Sequence, residues 1–388
     1  MPAVYLDNAA STRIDDDVLA LMTEVMRTSW GNPSSQHPQG AAARGHIATA
    51  RRRLLVALGD SDGDGRLGDI VWTSGCTEAD ALAVLGAART RPGAIVTSSI
   101  EHPAVGQLAA RLGDARTAVE IAPGPDGVID PATVARAAAD GAAVVAIVLV
   151  QNEIGVIQPV AAIARAVREV NPTCHIHVDA AQAFGKVAID VAAIGADSLA
   201  IAAHKLHGPK GIGALWLRTG RVLEPLWVGG GQQGGLRGGT QDAPAAAALG
   251  LAAERAVAAL PAARERWIAF AGRITARLRE RGVAFHQLVP DERRSPHILA
   301  LGLAGVPASA LRTVLASRGV YISTGSACAE RDGHGKPSQV LVAIGVPPET
   351  GMCRLSFGLD TTAEDVDVAA QTLADVALGL ASRSRTPG

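Results

Sequence analysis

Apolar positions along the chain follow two regimes. Between residues 69 and 217, short apolar runs alternate with longer segments patterned at helical spacing. Runs at 70–73, 94–97, 117–121, 143–150, 198–203 and 213–217, with one ending at Asp179, predict strands. The run AVVAIVLV at 143–150 is apolar at every position, as expected of a strand covered on both faces. Helices are predicted at 15–26, 40–58 and 160–170, and Asp130-Pro131 marks another start, an acid at the N-cap and a proline in the first turn. This alternation predicts a mainly parallel, doubly wound α/β sheet with helices on both faces. After the glycine-rich stretch 229–239 the pattern changes. Two long helices at 244–259 and 262–281 are expected, then strands near 298–303, 320–323 and 354–357 and a helix near 308–317. Thr361 to Glu364 is expected to form a capping box before a final helix. The chain therefore divides into a large α/β domain at 15–255 and a smaller α+β domain made of 1–14 and 256–388.

Composition narrows the class. With 388 residues and 48% hydrophobic content, the chain can bury a large core. A net charge of −1 argues against direct nucleic-acid binding, and no apolar run is long enough to span a bilayer. The start carries no basic and apolar leader pattern. Four cysteines lie far apart without metal-type spacing, so no metal site and a reducing, cytoplasmic setting are expected. In that setting one reactive thiol can matter.

The cations carry the first chemical signal. Of 36 Lys plus Arg, only four are lysine, and three of those fall in one stretch: Lys186, Lys205 and Lys210. An amine that loses its proton and attacks a carbonyl is chemistry that arginine cannot supply. Asp179 at a strand end, with Lys205 after the next strand, is a layout that holds pyridoxal phosphate, the acid on the pyridinium nitrogen and the lysine as Schiff base. Strand ends are where ligands sit in such sheets, and several further candidates fall there. Ser74-Gly75-Cys76-Thr77 leads into a helix whose free N–H groups suit a phosphate. His102 follows a strand and can stack on a ring. Asn152 ends the most apolar strand, and Gln182 lies three residues beyond Asp179. The bland alternative for each is an N-cap, a loop histidine, a satisfied amide or a surface lysine.

The stretch Gly229 to Gly234 formally matches GxGxxG, but further glycines follow it where a helix should open, so a dinucleotide site is rejected. It is expected instead to be a flexible loop that crosses a subunit boundary and has no task within its own subunit. Cys328 heads a polar, glycine-containing segment with Arg331, His334 and Lys336, which favour a thiolate. The segment from Ala329 to Pro337 has two glycines and almost no apolar residues to hold it down, so it is expected to move. Cys174 and Cys353 are expected to be packing residues.

Taken together, YLDNAAST, GNPSSQH, TSGCTEAD, EHPAV, QNEIGVIQP, HVDAAQAFGK, HKLHGPKGIGAL, RGGTQ, STGSACAE and CRLSFG resemble the cysteine desulfurases over nearly the whole chain. These are fold-type I pyridoxal-phosphate enzymes related to class V aminotransferases. The resemblance implies Lys205 as Schiff-base lysine, Cys328 as persulfide-forming nucleophile and His102 stacked on the ring beside them. It implies Asp179 under the pyridine nitrogen and Gln182 on the ring hydroxyl. Phosphate contacts would come from Cys76, Thr77 and His204, with Thr240 reaching in from the partner of a homodimer. Asn152 and Arg354 would hold the carboxylate of L-cysteine. Two departures stand out: Ala202 replaces a usual phosphate-binding serine, and Gly358-Leu359-Asp360 replaces a usual Gly-Arg.

The implied activity converts L-cysteine to L-alanine and passes sulfur through a cysteine persulfide to an acceptor protein. Iron–sulfur assembly, tRNA thiolation and DNA phosphorothioation are candidate destinations. Selenocysteine lyase, another class V aminotransferase, or an inert sulfur-transfer scaffold are the rival readings.

Overall fold

The computed structural model describes residues 3–60, 63–112, 117–325 and 338–384. Its strands, in chain order, are β1 Val4–Tyr5, β2 Gly68–Thr73, β3 Ile95–Ser98, β4 Ala118–Ile121, β5 Val144–Val148, β6 His175–Asp179, β7 Ser198–Ala202, β8 Gly213–Arg218, β9 Phe285–Gln287, β10 Ile298–Leu303, β11 Val320–Tyr321 and β12 Gly351–Ser356. Its helices are α1 Asp16–Thr28, α2 Pro38–Ala57, α3 Cys76–Thr90, α4 Pro103–Leu112, α5 Pro131–Ala139, α6 Val160–Val170, α7 Val191–Ile194, α8 Ala243–Glu280, α9 Ala308–Ser317, α10 Gln339–Ala343 and α11 Ala363–Ser384.

Seven strands form one sheet in the order β2-β8-β7-β6-β5-β3-β4. From β7 to β4 all neighbours are parallel, while β8 runs antiparallel to both β2 and β7. Every residue of β5, β6 and β7 is buried. The side-chain period of two explains how: Val144 and Ala146 join the apolar cluster under α3, whereas Val145 and Ile147 join the cluster on the other face. The expected doubly wound sheet is thus present. Asp130 caps α5 as read from the sequence, accepting from the Ala132 and Thr133 amides.

The remaining strands form two smaller sheets, β12-β10-β9 and the pair β1-β11. Their apolar residues pack with α8, α9 and α11 in a second cluster around Trp267, Phe270, Leu301 and Phe357. β9 has no counterpart in the sequence reading, because three half-exposed residues carry no apolar period.

Two corrections concern helices. The two helices expected at 244–259 and 262–281 are one 38-residue helix with Pro261 inside it. Packing overrides the proline: residues up to Ala256 belong to the main cluster, and from Ala263 onward to the second, so both sides are held. By length and composition α8 is apolar enough to cross a membrane, yet 61% of its most apolar window is buried in this fold. Proline is about 3 kcal/mol worse than alanine in a helix interior. Pro261→Ala should therefore raise stability by roughly 1–2 kcal/mol, part of the gain being offset by a freer unfolded chain. Denaturant midpoints check this, and a lower midpoint would show that the proline is required. The capping box before α11 is formed by Thr362 and Asp365, one residue later than expected: Thr362 N–H donates to Asp365 Oδ2 and Asp365 N–H to Thr362 Oγ1.

Candidate active site

A cavity of about 570 Å3 opens at the carboxyl ends of β5, β6 and β7. Topology puts the chemistry there. Asp179 is the last residue of β6, and Lys205 closes a single turn, Ala203–Lys205, that follows β7. Cys76 opens α3, and His102 immediately precedes α4. Each of these lines the cavity, as do Thr77, Asn152, Gln182, His204 and Arg354. A larger hollow of about 730 Å3 holds His207, Arg255 and Asp15 to Asp17, but neither Lys205 nor Asp179. Its charges serve one another, Arg13 with Asp16 and Arg255 with Asp15 and Asp17.

Lys205 Nζ donates to the main-chain oxygens of Ala9 at 2.5 Å and Ala10 at 2.9 Å. Burial, and then the Arg354 charge, pushes its amine down to about 8, against the pull of Cys76, Asp179 and Asp7. Asp179 Oδ1 accepts from the Ala181 amide at 2.8 Å and from the Cys76 thiol at 3.5 Å. Gln182 donates to Ala9 O at 2.6 Å, and its oxygen lies 3.4 Å from His297 Nε2. His102 is kept neutral by burial, and its Nδ1 accepts from the Ala104 amide. Burial, helped by Lys205, Lys210 and Lys186, holds His204 down to about 4.

Arg354 is 2% exposed. It donates to Asp7 Oδ1 at 2.6 Å and to Asn152 O at 2.9 Å. Its Nε is buried with no partner among the described residues. A buried guanidinium N–H left open at a cavity wall suits an incoming carboxylate. At the other end of the cavity, α3 starts without a side-chain cap, and a Cβ on its N-cap residue Gly75 would meet no protein atom within 4 Å. Uncapped helix amides facing open space suit a phosphate. With a carboxylate at Asp179 and an amine at Lys205 between these ends, the residues present fit pyridoxal phosphate and an amino acid.

One expected site residue, Thr240, is not in the cavity. Thr240 lines a separate hollow of about 350 Å3 with Met26 and Trp30. Cys328 lies outside the described residues. The glycine-rich loop also needs correcting, for it does have a task in its own subunit. Gln233 pairs with the edge of β2, accepting from Trp72 N at 2.6 Å and donating to Trp72 O at 3.0 Å. Arg237 bonds Glu78 at 2.8 Å beside the head of α3. Glycine is required where the loop closes on itself, since a Cβ on Gly238 would lie 2.7 Å from the Gly229 Cα.

The sequence reading missed several groups around the site. Asp7 holds Arg354. Asp80 and Lys210 line the cavity, and Glu101, just behind His102, is pushed up to about 8 by burial. Asp80 had a signal, since it lies one helical turn after Cys76. Cys174 and Cys353 are fully buried, as expected of packing residues.

Comparison with known proteins agrees with this geometry. Residues 4–368 match the family model described as aminotransferase class-V. A cysteine desulfurase of Gluconacetobacter diazotrophicus is 37% identical over 95% of this chain and 91% of its own. The solved structure of a NifS-like protein superposes with a TM-score of 0.89 at 31% identity, covering 97% of this chain and all of that one. SspA in complex with cysteine gives a TM-score of 0.77 at 30% identity, over 91% of this chain and 98% of that one. The chain belongs to the aminotransferase class-V family, and within it to the cysteine desulfurases.

Proposed function

We propose that the 570 Å3 cavity holds pyridoxal phosphate and L-cysteine, and that sulfur leaves it on Cys328. The observation that carries this reading is the meeting of Asp179, Lys205 and Arg354 in one cavity. When bound, the cofactor supplies the electron sink that lets a Cα–H bond break. The amides at the head of α3, with Thr77 and His204, would hold its phosphate, Asp179 would balance the charge of its ring nitrogen, and His102 would pack against it. Arg354 and Asn152 orient the substrate carboxylate. Lys205 Nζ takes the Cα proton, a role that suits an amine lowered to about 8. The Cys328 thiolate then attacks the substrate sulfur. An S–S bond forms and the C–S bond breaks, its electron pair staying on carbon, which takes up protons to become L-alanine. An acceptor protein in the cytoplasm collects the persulfide sulfur for iron–sulfur assembly, tRNA thiolation or DNA phosphorothioation.

A homodimer completes the site through Thr240. In support, Trp30 is 70% and Val228 92% exposed beside that region, an apolar face that a partner would cover. Borohydride treatment of the loaded protein should fix the cofactor on the peptide containing Lys205. Label on Lys186 or Lys210 would overturn the assignment.

A further inference from the structure

Three alternate residues of β6, His175, His177 and Asp179, line one face of the strand. Behind them runs a continuous line of polar contacts. Cys76 Sγ lies 3.5 Å from Asp179 Oδ1 and 3.9 Å from Asp80 Oδ1. Asp80 Oδ1 lies 3.0 Å from His177 Nε2. His177 Nδ1 and His175 Nε2 each lie 2.8 Å from Ser198 Oγ. Asp80, His175, His177 and Ser198 are each no more than 1% exposed. Two atoms of this line have no partner among the described residues, Asp80 Oδ2 and His175 Nδ1.

Charge decides which atoms carry protons. Burial pushes the Asp80 carboxyl well up, and the charges of Asp179 and Glu101 push it further. Burial holds His177 down to about 3 and His175 to about 4. The Asp80–His177 contact is therefore a neutral hydrogen bond, although its geometry matches an ion pair. Asp80 donates to His177 Nε2, His177 Nδ1–H donates to Ser198 Oγ, and Ser198 donates to His175 Nε2. The remaining proton sits on His175 Nδ1, whose charged surroundings are Asp197, Arg221, Arg91 and Arg168. His175 Nδ1 has no partner among the described residues that could take its proton on, so the line holds Asp80 in place, and the Asp80 proton has its way out into the cavity that Asp80 lines.

We propose that Asp80 is a charge-compensating positioning residue: protonated in the protein without cofactor, where it is bonded to His177, and ionised once a cationic ring nitrogen sits beside Asp179, its proton leaving into the cavity. Burial disfavours a second carboxylate beside Asp179, and a further positive charge, added to those of Lys205 and Arg354 on the same cavity wall, lifts that cost. The proposal rests on the reading that pyridoxal phosphate occupies the cavity. Asp80 acts through Asp179.

Calorimetry of pyridoxal phosphate binding to the cofactor-free protein, in two buffers of different ionisation enthalpy, counts the protons exchanged. The parent should release about one more proton per bound cofactor than Asp80→Asn. Glu101→Gln should release as many as the parent, and a one-proton difference there instead would overturn the assignment to Asp80. If Asp80→Asn does not fold, infrared difference spectra of the parent serve: a protonated-carboxyl band should be lost on binding, and an unchanged band overturns the proposal. Equal proton counts in parent and Asp80→Asn defeat this inference alone, whereas no binding by the parent defeats the underlying reading and this inference with it.

Discussion

Lys205→Ala will remove desulfuration while leaving the fold in place. The amine stands one turn beyond β7, donating to the Ala9 and Ala10 carbonyls, and its neighbours at the cavity wall are Arg354 and Asp179. Its amine is held at about 8, chiefly by burial, so near neutral pH a useful fraction is free to take a proton. A positioned acid–base group contributes about 10²–10⁴-fold. The loss here should reach the upper end, about 10⁴-fold in kcat, since on the proposed reading the same nitrogen also anchors the cofactor. Folding should not suffer. An amine whose pKa is lowered by folding binds fewer protons in the native state than in the unfolded chain. Between about 8 and the ordinary 10.5 it therefore makes stability rise with pH, and below about 8 its desolvation is a standing cost. Alanine removes that cost, so thermal midpoints at neutral pH should hold or rise. Alanine formation and thermal unfolding check both halves. Activity within tenfold of the parent would transfer the role to another amine. The parent's kcat, which reports the complex in which substrate has freed the amine, should also climb as pH rises through about 8, and this limb should vanish in the variant.

Much of the fold and site was legible because both are written in local patterns. Buried parallel strands read as continuous apolar runs, and strand ends point to the ligand side, so Asp179, Lys205 and Cys76 could be placed from spacing alone. What failed was long-range. Gln233 mimics a strand partner for Trp72 across 161 positions, and no local signal in a glycine-rich loop announces that. Pro261 reads as a break because the proline rule is local, whereas α8 is held by two apolar clusters that the sequence does not show to be adjacent. Lys186 is the sharpest case. It reads like any lysine after a glycine, yet it is 2% exposed, its Nζ has no partner among the described residues, and burial pushes its amine down to about 7. Burial of a charge is a property of the packed whole. The line from Asp80 to His175 is hidden for the same reason: its members come from α3, β6 and β7.

Cys328→Ser will keep the cofactor and lose alanine and persulfide together. The other three cysteines argue for this residue by their chemistry. Burial raises Cys76 well above an ordinary thiol, with Asp179 and Asp80 adding to it. Cys174 is pushed up to about 11 and Cys353 to about 12, again mainly by burial. A nucleophile must be a thiolate, and these three are held as thiols. Cys328 heads a polar segment, with Arg331, His334 and Lys336 nearby in sequence. Its tether starts at the right place. Ser323 is paired to the main chain of Arg354, accepting at 2.8 Å and donating at 3.2 Å, and Arg354 lines the cavity. Serine leaves Lys205, Asp179 and Arg354 untouched, so cofactor absorbance and its change on adding L-cysteine should match the parent. A hydroxyl cannot take sulfur from a thiol, so turnover should fall to the rate without enzyme. Steady-state desulfuration near the parent rate would remove Cys328 from the mechanism and require that Cys76 be activated against its surroundings.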